Sequence, residues 1–174
     1  MSDKDPPIVV MGVAGCGKST VGRDIALALG RAFIDADDLH PLANKAKMAA
    51  GEPLDDDERW PWLDLVGEAL ARRGENRVPP VVACSALKRV HRDRLRAKAA
   101  DTVFVLLDGS RDLLQSRIGP RAHEFMPAAL LDSQLATLEA LEGDEAGVLV
   151  DVAPPPRAVT ANVLAGIRRL LSVQ

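Results

Sequence analysis

The sequence predicts an α/β fold in which one parallel sheet carries helices on both faces. Two observations lead to this prediction: short apolar runs alternate with segments of helical periodicity, and the first apolar run leads directly into a glycine-rich loop. Such alternation is expected when each strand of a parallel sheet is followed by a crossover helix. The length of 174 residues suits one such domain, spanning 1–174, with room for a substantial core.

Strands are predicted where short apolar runs are bounded by turn residues. These segments are 8–12, 32–34, 80–84, 102–107 and 147–150. Helices are predicted where apolar residues recur at helical spacing. These segments are 18–29, 38–50, 58–73, 88–99, 110–118, 127–141 and 157–172. In such a sheet the ligand lies beyond the carboxyl ends of the strands, so the loops that follow the strands are expected to carry the chemistry.

Local signals support several of these boundaries. Gly30 offers a C-terminal stop for the helix 18–29. Asp55 and Glu58 have the spacing of a capping box at the start of the third helix, and Pro61 is tolerated if it falls in the first turn.

Two further segments leave a structural question open. Asp108 ends the apolar strand 102–107 in the manner of a metal-binding strand, but Asp108 or Ser110 is more simply explained as the cap of the helix 110–118. The segment at about 117–128 contains glycine and proline and has no clean periodicity. It is predicted to be a mobile lid.

The glycine-rich loop after the first strand fits the phosphate-binding pattern G-x-x-x-x-G-K-[ST] without a mismatch. Backbone N–H groups of such a loop surround nucleotide phosphates, Lys18 supplies a charge to the β- and γ-phosphates, and the Ser19 hydroxyl can ligate Mg²⁺. The following helix aims the positive end of its dipole at the same anion. The alternative is a glycine-rich turn that binds nothing. The predicted nucleotide-binding residues are Gly12, Val13, Ala14, Gly15, Cys16, Gly17, Lys18, Ser19 and Thr20.

Composition excludes several classes of function. The net charge of −3 provides no basic field for nucleic acid, and three Phe, two Trp and no Tyr offer few platforms for base stacking. No apolar run reaches membrane-spanning length and the N-terminal residues lack the core of a signal peptide. Cys16 and Cys84 form no C-x-x-C pair, which suggests a reducing compartment. A cytoplasmic protein without a membrane or nucleic-acid partner is therefore expected.

The thiolate of Cys16 is a candidate for reactivity at a helix N-terminus, although a small loop residue is the simpler interpretation.

Two carboxylates, Asp35 and Asp37, follow the second predicted strand at its carboxyl end. One is expected to hold Mg²⁺ through water, and the other to orient or deprotonate an acceptor hydroxyl. The alternative is that one of Asp35, Asp37 or Asp38 only caps the helix that begins nearby, and the two roles can coexist.

Basic residues near the predicted strand and helix ends are further candidates. His40 stands before Pro41, where a histidine is more often a helix-entry residue than a ligand. Most surface lysines and arginines only solvate a protein, but Lys88 is favoured because it follows the strand 80–84 closely. Arginines in a lid can close over a transferring phosphate. The basic candidates are His40, Arg59, Lys88, Arg89, Arg92, Arg117 and Arg121.

Taken with the phosphate-binding loop, three further segments resemble the gluconate kinase family of small P-loop kinases. They are Phe33–Leu63 with Leu39-His40-Pro41 and Gly51-Glu52-Pro53-Leu54-x-Asp56-Asp57, Cys84–Arg96 with Ser85-Ala86-Leu87-Lys88, and Phe125–Glu139 with Phe125-Met126-Pro127 and Ser133-Gln134. The resemblance covers roughly residues 8–152. The Leu-His-Pro and Gly-Glu-Pro-Leu-x-Asp-Asp blocks are specific to this family, whereas the phosphate-binding loop alone would serve many.

The resemblance implies an enzyme that uses ATP and Mg²⁺ to convert D-gluconate into 6-phospho-D-gluconate. It also implies a parallel sheet like that of nucleoside-monophosphate kinases, with a lid, usually in a homodimer. Family members often have Gly-His-Phe in the lid, whereas this chain has His123-Glu124-Phe125, so no role is carried over to His123.

The resemblance also implies roles for individual residues. Asp35 would bind Mg²⁺ through water and Asp37 would contact the acceptor hydroxyl. Arg121 would act from the lid with Arg117 beside it, and the loop 151–156 would lie by the adenine. The residues around the sugar-acid pocket would be His40, Arg59 and Lys88.

Two rival functions stay open at this point. Another small-metabolite kinase, with shikimate as the obvious acceptor, would use the same donor site. A regulatory P-loop NTPase belongs to a different class, but the guanine-reading Asn-Lys-x-Asp motif is not present, since Asn44-Lys45 is followed by Ala46-Lys47.

Overall fold

The computed structural model describes residues 5–50, 52–74, 78–118 and 128–173. Its strands are β1 (Ile8–Met11), β2 (Phe33–Asp35), β3 (Val81–Ala83), β4 (Val103–Asp108) and β5 (Gly147–Asp151). Its helices are α1 (Lys18–Leu29), α2 (Leu42–Ala49), α3 (Asp56–Ala71), α4 (Arg89–Arg96), α5 (Arg111–Ile118), α6 (Ala128–Thr137) and α7 (Pro156–Ser172), and a 3₁₀ helix (Ala36–Leu39) follows β2. Among these described residues, no helix combines the length and the apolar composition that a membrane crossing requires.

The strands form one parallel sheet in the order β2–β3–β1–β4–β5. Side chains of β1 alternate between two cores, as the pleat of a strand requires. Val10 packs in one core with Ile25 of α1, and Val9 packs in the other with Leu63 of α3. The predicted α/β fold with helices on both faces is therefore confirmed, and each strand end lies within one residue of its predicted position.

The helix predicted at 38–50 is wrong in its first part. A 3₁₀ helix over Ala36–Leu39 ends at His40, which has an extended backbone with φ −61° and ψ 135°. Pro41 follows as the N-cap of α2. Because a proline disfavours helical geometry in the residue before it, the periodic pattern cannot continue through His40 as one helix.

Two other helix predictions need correction. The third helix begins at Asp56, so Pro61 lies inside the helix, beyond the first turn. The helix predicted at 127–141 ends at Thr137. The capping box is confirmed, because Asp55 Oδ1 accepts from Glu58 N at 2.8 Å and Glu58 Oε2 accepts from Asp55 N at 2.9 Å.

Ser110, not Asp108, provides the side-chain cap of α5. Its Oγ accepts from Leu113 N at 3.3 Å, whereas Asp108 is the last residue of β4. The strand that ends in an aspartate therefore does not supply the side-chain cap of the helix that follows.

Arg92 of α4 is fully buried and holds the segment between α6 and β5. Its Nε and Nη2 donate to the two carboxylate oxygens of Glu145 at 2.6 and 2.9 Å. Nη1 donates to the carbonyls of Leu87 and Glu139 at 3.2 and 3.1 Å, and Nη2 donates to the carbonyl of Ala140 at 3.0 Å. These bonds assign the guanidinium of Arg92 a structural task and leave it no free donor for a ligand.

Replacing Arg92 with methionine is expected to lower the free energy of unfolding by about 3 kcal/mol, because the buried carboxylate of Glu145 loses its partner. Urea denaturation measures this loss. The matched control is Arg94→Met, whose ion pair with Asp64 lies at the surface, where solvent screens it, and should contribute much less. Equal losses in the two variants would contradict the structural task of Arg92.

Candidate active site

The phosphate loop, Gly12–Ser19, joins β1 to α1 and depends on glycine at two positions. Gly12 has φ 142° and Gly15 has φ 79°, values that side chains rarely allow. A Cβ on Gly12 would lie 2.7 Å from the carbonyl oxygen of Leu107, and a Cβ on Gly15 would lie 2.8 Å from Cγ1 of Ile118. The loop is therefore closely packed between β4 and α5.

The N-terminus of α1 is available to an anion. Gly17 at the N-cap offers no side-chain acceptor, and the first turn carries no acidic residue. The helix dipole and the first N–H groups therefore favour a negatively charged ligand. Lys18 is half-buried and its Nζ donates to the carbonyl of Val13 at 3.2 Å, which folds its ammonium group back over the loop.

A cleft of about 970 Å³ opens in front of the phosphate loop. Asp37 lines it at one side, Arg117 lines it from α5, and the segment after β5 contributes Val152 and Pro154. Arg117 Nη2 donates to the carbonyl of Val152 at 2.6 Å, so α5 and the segment after β5 are joined at this wall. The structure thus brings Asp37, Arg117, the loop after the last strand and seven of the nine predicted nucleotide-binding residues, 14–20, to one cleft, whereas Gly12 and Val13 do not line it.

Asp35 has two contacts at once. Its Oδ2 accepts from the Ser19 hydroxyl at 2.8 Å, and its Oδ1 accepts from Asp37 N at 3.1 Å. The second bond caps the 3₁₀ helix. The capping and ligand-site alternatives are therefore compatible at Asp35, because one oxygen serves the cap while the other faces the phosphate loop.

The carboxyl of Asp37 does not cap the 3₁₀ helix, because the cap is the side chain of Asp35. Its pKa is raised above the ordinary value of 3.8, chiefly because surrounding protein desolvates the carboxyl, and further because Asp35 and Asp38 lie near, while Lys18 partly opposes the rise. A raised pKa makes a carboxylate a better proton acceptor, so Asp37 has the properties of a general base.

Trp62 of α3 holds the segment that carries Asp37 and His40. The rings of His40 and Trp62 are stacked, with centroids 4.1 Å apart and planes at 12°. Trp62 Nε1 also donates to the carbonyl of Ala36 at 2.7 Å. One buried side chain therefore contacts both ends of the 3₁₀ helix.

The imidazole of His40 is neutral near pH 7. Burial, chiefly, and the charges of Arg59 and Lys45 lower its pKa to about 4. Its Nδ1 is buried without a hydrogen-bond partner among the described residues. His40, which the sequence predicted as a binding residue, is thus a neutral ring held by its stacking on Trp62 and adds no positive charge beside Arg59.

This low pKa predicts a loss of stability on acidification. The unfolded chain binds a proton at His40 below about pH 6.5, but the folded chain does so only near pH 4, so stability is present above pH 6.5 and is lost as pH falls to 4. The shift of 2.5, from 6.5 to about 4, corresponds to about 3 kcal/mol. In His40→Phe, which preserves an aromatic ring on Trp62, the loss measured by urea denaturation at pH 7 and pH 4 should shrink by that amount. His91 and ion-paired carboxyls such as Glu58 and Glu145 also have lowered pKa values and contribute to the loss in both proteins. An unchanged loss in the variant would contradict the prediction.

Lys88 and Arg59 lie in one basic neighbourhood with His40. Lys88 Nζ pairs with Asp56 at 3.0 Å, and Asp56 also lies 3.5 Å from His91 Nε2. The charge of Arg59 contributes to the low pKa of both His40 and His91, so Arg59 lies near both rings. The structure therefore places Arg59 near His40 and near His91, which lies beside the Lys88–Asp56 pair. His40, Arg59 and Lys88 are not among the described residues that line the cleft in front of the phosphate loop.

The segment before Lys88 contains a strained backbone that the sequence does not reveal. Ala86 has φ 38° and is 1% exposed. A buried residue other than glycine in this region costs energy, and such strain is concentrated at functional sites. Ala86 therefore adds to the case for the Ser85–Lys88 segment as part of the site.

The pKa values of the two cysteines favour the neutral thiol over the thiolate. Burial is the chief cause of the raised pKa of Cys16, and burial raises the pKa of Cys84 to about 12. The simpler interpretation of Cys16, a small buried residue of the phosphate loop, fits these values.

Part of the predicted lid, residues 119–127, lies outside the described residues, and with it Arg121 and His123. Two residues that contact the site were missed by sequence reasoning as site residues, Trp62 and Gln134. Gln134 Oε1 accepts from the N–H of Ala14 in the phosphate loop at 2.7 Å. A signal existed for Gln134, since it follows Leu131 of α6 by three residues and precedes Leu138, just beyond the helix, by four, a spacing at which an apolar residue is expected.

Comparison with known proteins agrees with this geometry. The chain matches the Shikimate kinase family profile over residues 14–145. It is 42% identical over 163 residues to the thermoresistant gluconokinase of Escherichia coli (strain K12), covering 92% of this chain and 93% of that protein. The crystal structure of a gluconokinase from Sinorhizobium meliloti 1021 superposes with a TM-score of 0.89 at 49% identity, covering 97% and 95% of the two chains. A shikimate kinase from Aquifex aeolicus vf5 shares the fold, with a TM-score of 0.58 over 94% of this chain and 96% of that one, but only 15% identity. The chain belongs to the gluconokinase family of small P-loop kinases.

Proposed function

We propose that the protein transfers the γ-phosphoryl group of ATP to D-gluconate, giving ADP and 6-phospho-D-gluconate. The observation that carries the proposal is the position of Asp37, which lines the cleft in front of the phosphate loop and lies on the same short segment as His40. A phosphate site and a basic neighbourhood suited to an acidic sugar therefore meet at the carboxyl edge of one sheet. The gluconokinase relatives support the choice of acceptor.

On the donor side, the N–H groups of the phosphate loop and Lys18 hold the ATP phosphates. Thr20 continues this set from the first turn of α1 and lines the same cleft. Arg117 lines the cleft beside the phosphate loop and is proposed to offset charge on the transferred group. The same role is proposed for Arg121, which lies outside the described residues. The loop 151–156 is proposed to face the adenine, since Val152 and Pro154 form the far wall of the cleft.

Ser19 and Asp35 fit Mg²⁺. The Ser19 hydroxyl gives its hydrogen to Asp35 Oδ2 at 2.8 Å, which leaves the lone pairs of Ser19 Oγ available to a cation. Within the described residues no three His, Cys, Asp or Glu side chains form a metal cage. Mg²⁺ takes one or two protein oxygens together with phosphates and water, and the oxygens of Ser19 and Asp35 would supply the protein's share. When bound, Mg²⁺ neutralises charge on the phosphates during transfer.

On the acceptor side, Asp37 accepts a hydrogen bond from the primary hydroxyl of gluconate and receives its proton. The hydroxyl oxygen forms a bond to the γ-phosphorus as the bond to the β-phosphate oxygen breaks, and ADP leaves. Arg59 and Lys88 provide positive charge for the gluconate carboxylate, and His40 offers a neutral ring nitrogen to a sugar hydroxyl. Because Lys88 is paired with Asp56, the carboxylate of the substrate competes with Asp56 for it.

A coupled assay of ADP release with D-gluconate, D-glucose and shikimate as acceptors tests the function. We expect turnover with gluconate and none with glucose, which has the hydroxyls but lacks the carboxylate. Preferential turnover of shikimate would favour the rival small-metabolite kinase. A slow ATPase that responds to no acceptor would favour a regulatory NTPase.

We further propose that the protein works as a cytoplasmic homodimer and that 1–174 is one domain with a lid at about 117–128. Light scattering coupled to size exclusion measures the mass of the assembly against the 18.6 kDa of one chain. A mass of one chain at assay concentration would contradict the homodimer without affecting the proposed reaction.

A further inference from the structure

We propose that Gln134 is a positioning residue for the nucleotide phosphates, acting through the backbone of the phosphate loop. The carbonyl oxygen of its side chain accepts the N–H of Ala14 at 2.7 Å, across 120 residues of sequence. The inference depends on the donor side of the proposed function and is independent of the acceptor.

Gln134 is a polar residue on the face of α6 that is otherwise apolar and packs against the core. Leu131 is 1% exposed and belongs to the same core as Val13 and Cys16 of the phosphate loop, and Leu138 also packs against this core. Gln134 lies between these leucines on the face that contacts the loop. Placing an amide on a core-facing position has an energetic cost unless its polar atoms are satisfied, so the bond to Ala14 accounts for its presence.

The bond supplies what the loop cannot provide for itself. Within the phosphate loop, the N–H of Cys16 turns back to the carbonyl of Val13 at 3.3 Å, which leaves the N–H of Ala14 outside that turn. Ala14 is buried at 9% exposure. Without Gln134 the N–H of Ala14 would lose its acceptor in the protein, and nothing would fix the orientation of this peptide at the wall of the cleft that Ala14 lines.

The helix that carries Gln134 is itself firmly placed. Arg111 of α5 pairs with Asp132 through two bonds of 2.6 and 2.8 Å. Beyond α6, the N–H of Glu139 donates to the carbonyl of Leu87 at 2.9 Å. Because α5 also packs against the loop at Gly15, the loop lies between two helices that are joined to each other. Gln134 is the residue through which α6 hydrogen-bonds to the loop backbone.

The test compares Gln134→Met, which retains side-chain length but lacks an acceptor, with Asp132→Asn, which breaks the ion pair of the same helix without touching the loop. Isothermal titration with ADP should give a dissociation constant about 10-fold higher in Gln134→Met, and the KM for ATP should rise likewise. The KM for the acceptor should stay within twofold. Asp132→Asn should bind ADP like the wild-type chain.

Hydrogen exchange measured by NMR supplies a second readout. The amide of Ala14 should lose protection in Gln134→Met and retain it in Gln134→Glu, whose carboxylate still accepts the bond. Equal exchange rates in these two variants, or unchanged ADP affinity in Gln134→Met, would overturn the inference. Should Gln134→Met fail to fold, Gln134→Leu, which also lacks an acceptor, takes its place in the same comparison with Gln134→Glu. Failure of the wild-type chain to bind ADP would instead refute the donor side of the proposed function.

Discussion

Replacing Lys18 with alanine is expected to lower the rate of phosphoryl transfer by at least about 10³-fold while leaving the fold intact. Lys18 is the cation of the phosphate loop itself. Among the described residues, its side chain makes one hydrogen bond, from Nζ to the carbonyl of Val13 at 3.2 Å. Removing it deletes a point charge at the site where negative charge accumulates during transfer. The loss of a single half-exposed hydrogen bond lowers the free energy of unfolding by only about 1 kcal/mol.

Coupled ADP release measures the effect, and the melting temperature verifies the fold. Lys98→Ala is the matched control, since Lys98 is an exposed lysine outside the cleft and its removal should leave turnover unchanged. Near-normal activity of Lys18→Ala would contradict the assignment of the phosphate loop as the donor site.

Local sequence patterns were sufficient for the elements of the fold. Ile8–Met11 is an uninterrupted apolar run and lies in the centre of the sheet, as expected for a parallel strand buried on both faces. The Asp55 and Glu58 spacing predicted the capping box because both partners lie within one turn. The pattern failed where a single residue overrode it, since Pro41 divides a periodic segment into two short helices.

The basic candidates could not be ranked in the same way, because their roles depend on partners far along the chain. Arg92 and Lys88 stand close together in sequence, yet Arg92 is buried against Glu145 whereas Lys88 is partly exposed and pairs with Asp56. Apart from the carbonyl of Leu87, the acceptors of Arg92 lie on the segment between α6 and β5, and no local pattern relates that segment to α4. Only the packing of the chain separates the structural arginine from the candidate ligand.

The same limit applies to the residues that hold the site in place. Trp62 is a core tryptophan by its pattern, and its stacking on His40 and bond to Ala36 depend on how α3 crosses the end of β2. The acidic pair after β2 could be located from sequence because it directly follows a strand. The separate roles of the two carboxylates could not be predicted, because Asp35 alone makes both the cap and the contact with Ser19, through different oxygens.

Asp37→Asn is expected to lower kcat by about 10³-fold while nucleotide binding stays within a few-fold of wild type. Asparagine has the same shape but cannot take the proton of the acceptor hydroxyl. Asp38→Asn is the matched control, an exposed neighbouring carboxylate that should be dispensable. Loss of ADP binding with unchanged kcat would assign Asp37 to the nucleotide instead.

The pH dependence of the wild-type enzyme provides an independent measurement of the same carboxyl. Because the pKa of Asp37 is raised, chiefly by desolvation, the active carboxylate form is lost as pH falls through a value above the ordinary 3.8. The acidic limb of kcat/KM should therefore lie above that of an ordinary aspartate, and the residual activity of Asp37→Asn should lack it. His40 lies on the same segment, but its pKa of about 4 keeps it neutral at neutral pH, so a limb near pH 6.5 is not expected from His40. A limb near 6.5 that persists in Asp37→Asn would show that a group other than Asp37 takes the proton.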